Sequence, residues 1–402
     1  MARELSAATK AIVKVTVPAL AAHGTDITAA MYLLLFKNEE VRNLFNQSNQ
    51  GEGGGQTRAL AQAILAYAQN IDNLAVLGPA VERIAQKHVG LQILPHHYPY
   101  VADALLAAIK QVLGDAATDE VLAAWGEAYW FLADILIGRE KQVYEELSSA
   151  EGGWSGWRRF RIAGKQRESD IITSFVLEPE DHEAVVRHLP GQYLTFRIAV
   201  PGRGEYRRNY SISSAPNGKT YRISVKREPL GVISNYLHDS VMEGDVLDIA
   251  PPAGDFFLKE DTTRPIVLLS GGVGLTPMIS MLETMTARDG NASVYYVHGA
   301  EDGRVHAMGE HVRKLIFAHE GMRSAIFYRT PHSEDRKGVH YDQEGFVTLE
   351  WLSENTPLKE ADIYLCGPKP FLAVFVNGLA KAGVPKDRIH YEFFGPADDL
   401  AA

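Results

Sequence analysis

At 402 residues the chain is too long for one hydrophobic core, and roughly two or three domains are expected. Hydrophobic content of 46% and charged content of 22% are those of an ordinary soluble globular protein. A net charge of -10 argues against broad binding to nucleic acid or anionic membranes.

The single cysteine, Cys366, excludes an intrachain disulfide and an all-cysteine zinc or iron–sulfur site. So little cysteine suits the cytosol, and a cytoplasmic location is expected. The N-terminal Met1-Ala-Arg-Glu-Leu-Ser lacks an apolar signal core.

Residues 1–150 carry helical periodicity with almost no strand alternation. Helices are expected near 5–22, 26–37, 56–70, 79–89, 95–113 and 118–148. Asp26 and either Thr118 or Asp119 are their candidate N-caps. The run 46–55 reads as a polar, glycine-rich loop. Val81, Ile84, Ala85 and His88 fall at i, i+3, i+4 and i+7, so they share one helix face, which Gly90 and Pro95 then end. Desolvation there favours neutral imidazole, a good iron ligand. A core histidine bonded to a backbone carbonyl fits the same pattern. The apolar run Val121–Ile137 is interrupted by Glu127 and Asp134, so it reads as a buried helix and not as a membrane span.

Gly152-Gly-Trp-Ser-Gly-Trp157 marks a boundary, after which the pattern switches to period two. Short strands are expected at 159–162, 171–177, 193–198, 210–213 and 221–226, with turns at Pro190-Gly, Pro201-Gly and Asn217-Gly. This predicts an antiparallel barrel to about residue 258. From Arg264 an apolar strand, 266–270, runs into a glycine loop and a helix. Further strands near 294–297, 325–328, 363–365 and 389–394 alternate with helices, a βαβ pattern around a mostly parallel sheet.

Several motifs carry chemistry. Arg208-Asn209-Tyr210-Ser211 ends a barrel strand: an arginine fork suits a diphosphate, and a tyrosine ring can lie on a planar cofactor. Gly231-Val-Ile-Ser234 then frees the backbone and can open a helix whose amides suit a phosphate. Gly271-Gly272-Val273-Gly274-Leu275-Thr276 follows a buried strand and leads into a helix, the arrangement that binds a pyrophosphate. Tyr364-Leu-Cys366-Gly367-Pro368 and Glu392-Phe393-Phe394-Gly395-Pro396 stand further on. A plain strand, a structural glycine turn and an ordinary sheet end are the bland readings of these segments.

In this order and spacing the motifs resemble the ferredoxin-reductase family of flavoenzymes over about residues 155–402. The resemblance implies an FAD barrel followed by an NAD(P)H-binding α/β domain. Tyr193, Arg208, Asn209, Tyr210, Ser211, Gly231 and Ser234 would then hold FAD. The loop 271–276 would hold the dinucleotide diphosphate, with Cys366 near the nicotinamide. Residues Glu392, Phe393, Phe394, Gly395 and Pro396 would complete the cofactor sites, Phe394 shielding the flavin ring.

A helical domain of globin size ahead of such a module resembles the flavohaemoglobins over the full length. The resemblance implies a globin domain at 1–150, an FAD barrel at 155–260 and an NAD(P)H domain at 264–402. It makes His88, after Lys87, the proximal iron ligand of haem b. Tyr98 and Glu140 become the pair that hydrogen-bonds around that ligand. Tyr32, Gln56 and Leu60 become the distal residues, and Phe45 packs on the haem. The glycines at 53–55 leave the register of Gln56 open. The implied activity is nitric oxide dioxygenation, joining O2 and NO into nitrate with electrons passed from NAD(P)H through FAD. The rivals are a haem-based oxygen or nitric oxide sensor, and a flavin reductase for ferric or quinone acceptors. No nucleic acid, stable membrane insertion or obligate protein partner is implied. Glu301 and Asp302, after the strand at 294–297, predict a preference for NADH.

Overall fold

In the computed structural model, which describes residues 4–45, 55–260, 263–288 and 293–395, the chain divides into two compact units. One contains Met1–Ser149, and the other Ala150–Gly202 and Arg208–Phe394.

The first unit is all helical: α1 Ala7–Val15, α2 Val17–Leu35, α3 Glu39–Leu44, α4 Gly55–Gln69, α5 Gly78–Gly90, α6 Tyr98–Leu113 and α7 Asp119–Ser149. Side chains start several of them. Ser6 Oγ accepts from Thr9 N–H, Asn38 Oδ1 from Val41 N–H, and Thr118 Oγ1 from Val121 N–H. Prolines pre-set the first turns of α2, α5 and α6.

Two expectations are corrected here. The break between the first two helices lies at Thr16 and not near 23–25, so Asp26 is an exposed residue inside α2 and caps nothing. At Gly24, inside α2, α4 comes close: a Cβ there would stand 3.5 Å from Ala61 Cβ. Thr28 reinforces that crossing by donating to both Gly24 O and Thr57 O. The short α3 was not foreseen, because six residues show too little periodicity.

Helix α7 is long and apolar enough to cross a membrane by composition alone. Its buried residues Ala124, Trp125, Ala128, Ala133, Leu136, Glu140 and Val143 recur at helical spacing, and most join the core of the first unit. Glu127 and Asp134 are exposed. That amphipathic pattern is the one a helix of a soluble core carries.

The second unit opens with antiparallel strands β1 Arg158–Arg167, β2 Ile172–Pro179, β3 Tyr193–Val200, β4 Gly204–Ser211, β5 Tyr221–Lys226 and, after helix α8 Val232–Asp239, β6 Val246–Ile249. Their order is β4-β3-β6-β1-β2-β5. An Ile212–Ile223 bridge, with Ser213 N–H donating to Arg222 O at 2.7 Å, joins the two ends and closes the barrel. The strand expected at 210–213 lies earlier, at 204–211. Its charged run Glu205–Arg208 hides the alternation, since both faces carry polar groups.

A parallel sheet follows, with β7 Ile266–Gly271, helix α9 Leu275–Thr286, β8 Val294–Ala300, α10 Gly309–Phe317, β9 Met322–Tyr328, β10 Gln343–Glu344, α11 Leu349–Asn355, β11 Asp362–Cys366, α12 Lys369–Lys381 and β12 Ile389–Glu392. Strands β7 and β11 are buried throughout, as a sheet covered on both faces requires. The order β10-β9-β8-β7-β11-β12 reverses direction between β7 and β11. That reversal is the topological switch point, outside which open α/β sheets bind their ligands.

Candidate functional site

The last turn of α5 presents His88, with Lys87 beside it. His88 Nδ1 lies 2.7 Å from Glu140 Oε1 on α7 and 3.1 Å from Tyr98 Oη on α6. Tyr98 donates its own proton to the same Glu140 oxygen at 2.5 Å. The acceptor-only carboxylate therefore takes both protons, which fixes the His88 proton on Nδ1. His88 Nε2, left with its lone pair, makes no hydrogen bond among the described residues.

Glu140 is buried. Burial first, and the Glu140 charge second, raise the Tyr98 hydroxyl above its ordinary pKa and keep it a donor. Two residues that sequence reasoning missed hold this arrangement. Tyr129 donates to Tyr98 O at 2.7 Å, and Tyr144 to Ile93 O at 2.9 Å. Both are plain aromatics on α7 with nothing in the sequence to single them out.

Tyr32, on α2, is buried in an aromatic cluster. Its ring stacks on Phe36 at 5.3 Å and meets the edge of Phe45 at 5.7 Å. Burial raises its hydroxyl's pKa, so it stays protonated. Phe36 was missed, although it sits one turn after Tyr32. Leu60 on α4 and Val81 and Ile84 on α5 pack on the same core yet stay half-exposed. Gln56 stands in the first turn of α4, directly after residues 46–54, which lie outside the described residues. An imidazole with a free Nε2, a carboxylate behind it, and half-covered apolar side chains fit a haem.

His96 and His97 lie near Glu40, with ligand atoms close enough for a cation. The hydrogen bonding argues otherwise. His97 Nδ1 accepts Leu94 N–H at 2.9 Å, which leaves its proton on Nε2, 3.4 Å from Glu40 Oε1. A nitrogen that donates has no lone pair for a metal.

In the barrel, Tyr193 begins β3 and exchanges 3.0 Å backbone bonds with Ala253. Its hydroxyl is buried and has no partner among the described residues. Gly254 lets the chain lie against that ring, since a Cβ there would be 3.0 Å from it. Tyr210 meets Phe196 edge-on at 5.6 Å, and Asn209 Oδ1 accepts from Thr195 at 2.9 Å. Arg208 is half-buried beside them and Ser211 is buried. A buried phenol without a partner is uncommon. A flavin bound beside it would supply that partner, so the residues fit FAD.

Gly231, and not Ser234, caps α8. Ser234 lies in the first turn, where its hydroxyl accepts Glu228 N–H at 3.1 Å and closes the turn.

At the switch point, Gly272 has φ +56° and nothing within 4 Å of a would-be Cβ, while a Cβ on Gly274 would stand 2.1 Å from Cys366 O. One glycine thus allows the turn and the other allows β11 to come close. Val273 accepts from Thr276 Oγ1 at 3.1 Å, and Leu275 begins α9. Ser270, Cys366 and Glu392 are neighbours across β7, β11 and β12. Burial pushes the Cys366 thiol up, so it stays protonated. Phe393 packs on the sheet core, Phe394 and Gly395 follow, and Phe394 is 47% exposed. Pro396 lies outside the described residues.

The acids expected at a ribose already have partners. Glu301 accepts from Arg329 at 2.8 Å, and the buried Asp302 from Arg304 at 2.5 Å.

Comparison with known proteins identifies three modules in the chain. The chain matches the globin family over residues 28–136, the oxidoreductase FAD-binding domain over 159–258 and the oxidoreductase NAD-binding domain over 268–376. It is 53% identical to a flavohemoprotein of Xylella fastidiosa over the whole of both chains. It is 47% identical to one of Halalkalibacterium halodurans, covering 99% of this chain and 98% of that one. The flavohemoglobin of Malassezia yamatoensis, solved with bound FAD and heme, superposes with a TM-score of 0.86 at 26% identity over 97% of this chain and 100% of that one. The FAD/NAD-binding domain of a Vibrio cholerae nitric oxide dioxygenase is 40% identical with a TM-score of 0.54, over 60% of this chain and 99% of that one. Globin, flavin-type barrel and nucleotide-type sheet thus occur here in one chain, at high identity over its full length, and the chain belongs to the flavohemoprotein family.

Proposed function

We propose that the chain is an NAD(P)H-dependent nitric oxide dioxygenase that removes nitric oxide as nitrate. The observation that carries the reading is His88, with Nδ1 held by Glu140 and Nε2 left to ligate iron, in one chain with a switch-point glycine loop. The Vibrio cholerae relative named as a nitric oxide dioxygenase supports it.

When bound, FAD and haem would supply redox chemistry, the splitting of a nicotinamide electron pair into single electrons and a site where dioxygen and nitric oxide could react. One electron joins the two gases into one nitrate, so one NAD(P)H serves two turnovers.

The chain's own residues do the rest. Glu140 orients His88 and raises its basicity, lending electron density to the ligand. Tyr98 shares that carboxylate and limits its rotation. Tyr32 keeps its proton and would donate a hydrogen bond to dioxygen, with Gln56 as a second donor. Leu60 and Phe45 exclude water. Tyr193, Arg208, Asn209, Tyr210, Ser211, Gly231 and Ser234 would hold FAD. Residues 271–276 would hold the dinucleotide, with Cys366 and 392–396 around the reacting rings.

The corresponding domains are 1–150, 155–260 and 264–402, in a cytoplasmic protein without an obligate partner. Purified holoprotein is expected to show haem and flavin absorption bands together and to consume nitric oxide only with NAD(P)H present. Flavin without haem would overturn the reading.

A further inference from the structure

Helix α9 starts at the glycine loop and carries Thr276, Ser280 and Glu283 at i, i+4 and i+7, so the three share one face. That face meets the segment immediately after Ser211. Glu283 is 15% exposed, and its carboxylate accepts Ala215 N–H at 2.8 Å, Arg222 Nη2 at 2.6 Å and His311 Nε2 at 2.8 Å. Arg222 also donates to Ser213 O. One turn earlier, Ser280 Oγ donates to Ser214 O at 2.7 Å, and His188 Nε2 lies 3.0 Å from the same carbonyl.

An apolar cluster also joins the barrel to the sheet, with Ile172 and Leu258 packed among Met278, Met281 and Leu282. Apolar contact is non-directional and tolerates sliding. Hydrogen bonds to a buried charge are directional and set a register.

Helix α9 is stiff and rises about 1.5 Å per residue, so Glu283 stands about 10 Å along it from Thr276. The node therefore lies two turns from the glycine loop and four residues from the Arg208–Ser211 motif.

We propose that Glu283 is a positioning residue for flavin reduction, fixing the nucleotide loop relative to the flavin motif through its hold on Ala215 and on Arg222, which in turn donates to Ser213 O. The inference rests on the dinucleotide and FAD assignments of the proposed function. In the step it governs, NADH loses two electrons and a proton to FAD and leaves as NAD+. Misplacement of reacting groups by about 1 Å costs about 100-fold in rate.

The test uses the full-length, FAD-loaded protein with Glu283→Ala and Glu283→Gln. Anaerobic rapid mixing with a series of NADH concentrations reads the limiting rate of flavin reduction and the half-saturating NADH separately. Hydrogen exchange of peptides spanning 212–220 reads the node itself. Glu283→Ala is expected to reduce flavin about 10–100-fold more slowly at saturation, with half-saturation moved less than about threefold. Exchange at 212–220 is expected to quicken. Glu283→Gln keeps an oxygen for Ala215 N–H and is expected to recover part of both, and it carries the comparison if the alanine variant does not fold. Faster exchange with wild-type flavin reduction would overturn the proposal, as would unchanged exchange. A wild-type flavin that NADH leaves oxidised would instead overturn the functional reading beneath it.

Discussion

Glu140 Oε1 takes protons from both His88 Nδ1, at 2.7 Å, and Tyr98 Oη, at 2.5 Å. The carboxylate is buried and its two donors come from different helices. Replacing Glu140 by Gln puts a neutral amide where both donors need an acceptor. Outer-sphere changes of this kind cost about 10–100-fold in metal affinity or activity. Glu140→Gln is therefore expected to raise the haem midpoint potential and to slow nitric oxide turnover by that factor. Potentiometric titration checks the first. A potential equal to that of the wild type would show that the carboxylate does not reach the iron through His88.

Tyr32→Phe keeps the ring against Phe36 and Phe45, so the fold and the haem are expected to survive. The lost hydrogen bond to a partly anionic acceptor is worth about 1.5–3 kcal/mol, or roughly 10–100-fold in oxygen affinity. The loss should appear as faster oxygen release, with nitric oxide consumption reduced most at low oxygen. Gln56 is a substitute donor, so Tyr32→Phe with Gln56→Leu belongs beside it. Oxygen release as slow in both variants as in the wild type would refute the role of Tyr32.

NADH is expected to be preferred over NADPH. Arg304 lies four residues past the end of β8 and Arg329 N–H donates to Ala300 O at 3.0 Å, and Asp302 and Glu301 already pair with these two side chains. A 2′-phosphate would have to break those pairs. Glu301→Gln frees Arg329 from an exposed ion pair and is expected to narrow the NADH:NADPH ratio of kcat/KM by about threefold or more. A wild-type ratio favouring NADPH would contradict the assignment.

Acid should weaken the second unit before the carboxylates titrate. Burial pushes His188 and His306 down to about 4, and burial with the nearby His306 pushes His298 well below its ordinary value. Each is neutral when folded and takes a proton near pH 6.5 when unfolded. Their contribution is therefore complete above about pH 6.5 and shrinks as pH falls toward 4. Three protons give a slope of about 4 kcal/mol per pH unit near pH 5. Glu283 is opposed by burial but held below its ordinary value by His311 and Arg222, so it adds loss only below about pH 4.5. Calorimetry from pH 7 to 5 checks this. A melting temperature of the second unit that stays flat over that range would contradict it.

Much of this was legible in the sequence because it lies in local pattern. The i, i+3, i+4, i+7 stripe ending at His88 is a helix, and the apolar run into Gly271 is a buried strand before a turn. Pairings made only in three dimensions were not legible. Nothing at position 283 says that its carboxylate meets residues 215, 222 and 311. Asp26 reads as a helix cap because an aspartate that starts a helix and one exposed inside it look alike in one dimension. Glu140 was legible only through the family resemblance, since its bonds to Tyr98 and His88 are made in three dimensions.

The most direct test mixes NADH-reduced, oxygen-equilibrated protein with nitric oxide and counts products. Roughly one nitrate per nitric oxide and about half an NADH per nitrate are expected. His88→Ala is expected to abolish this while NADH still reduces a soluble dye. Nitric oxide consumed without nitrate, or at an unchanged rate in His88→Ala, would contradict the dioxygenase assignment.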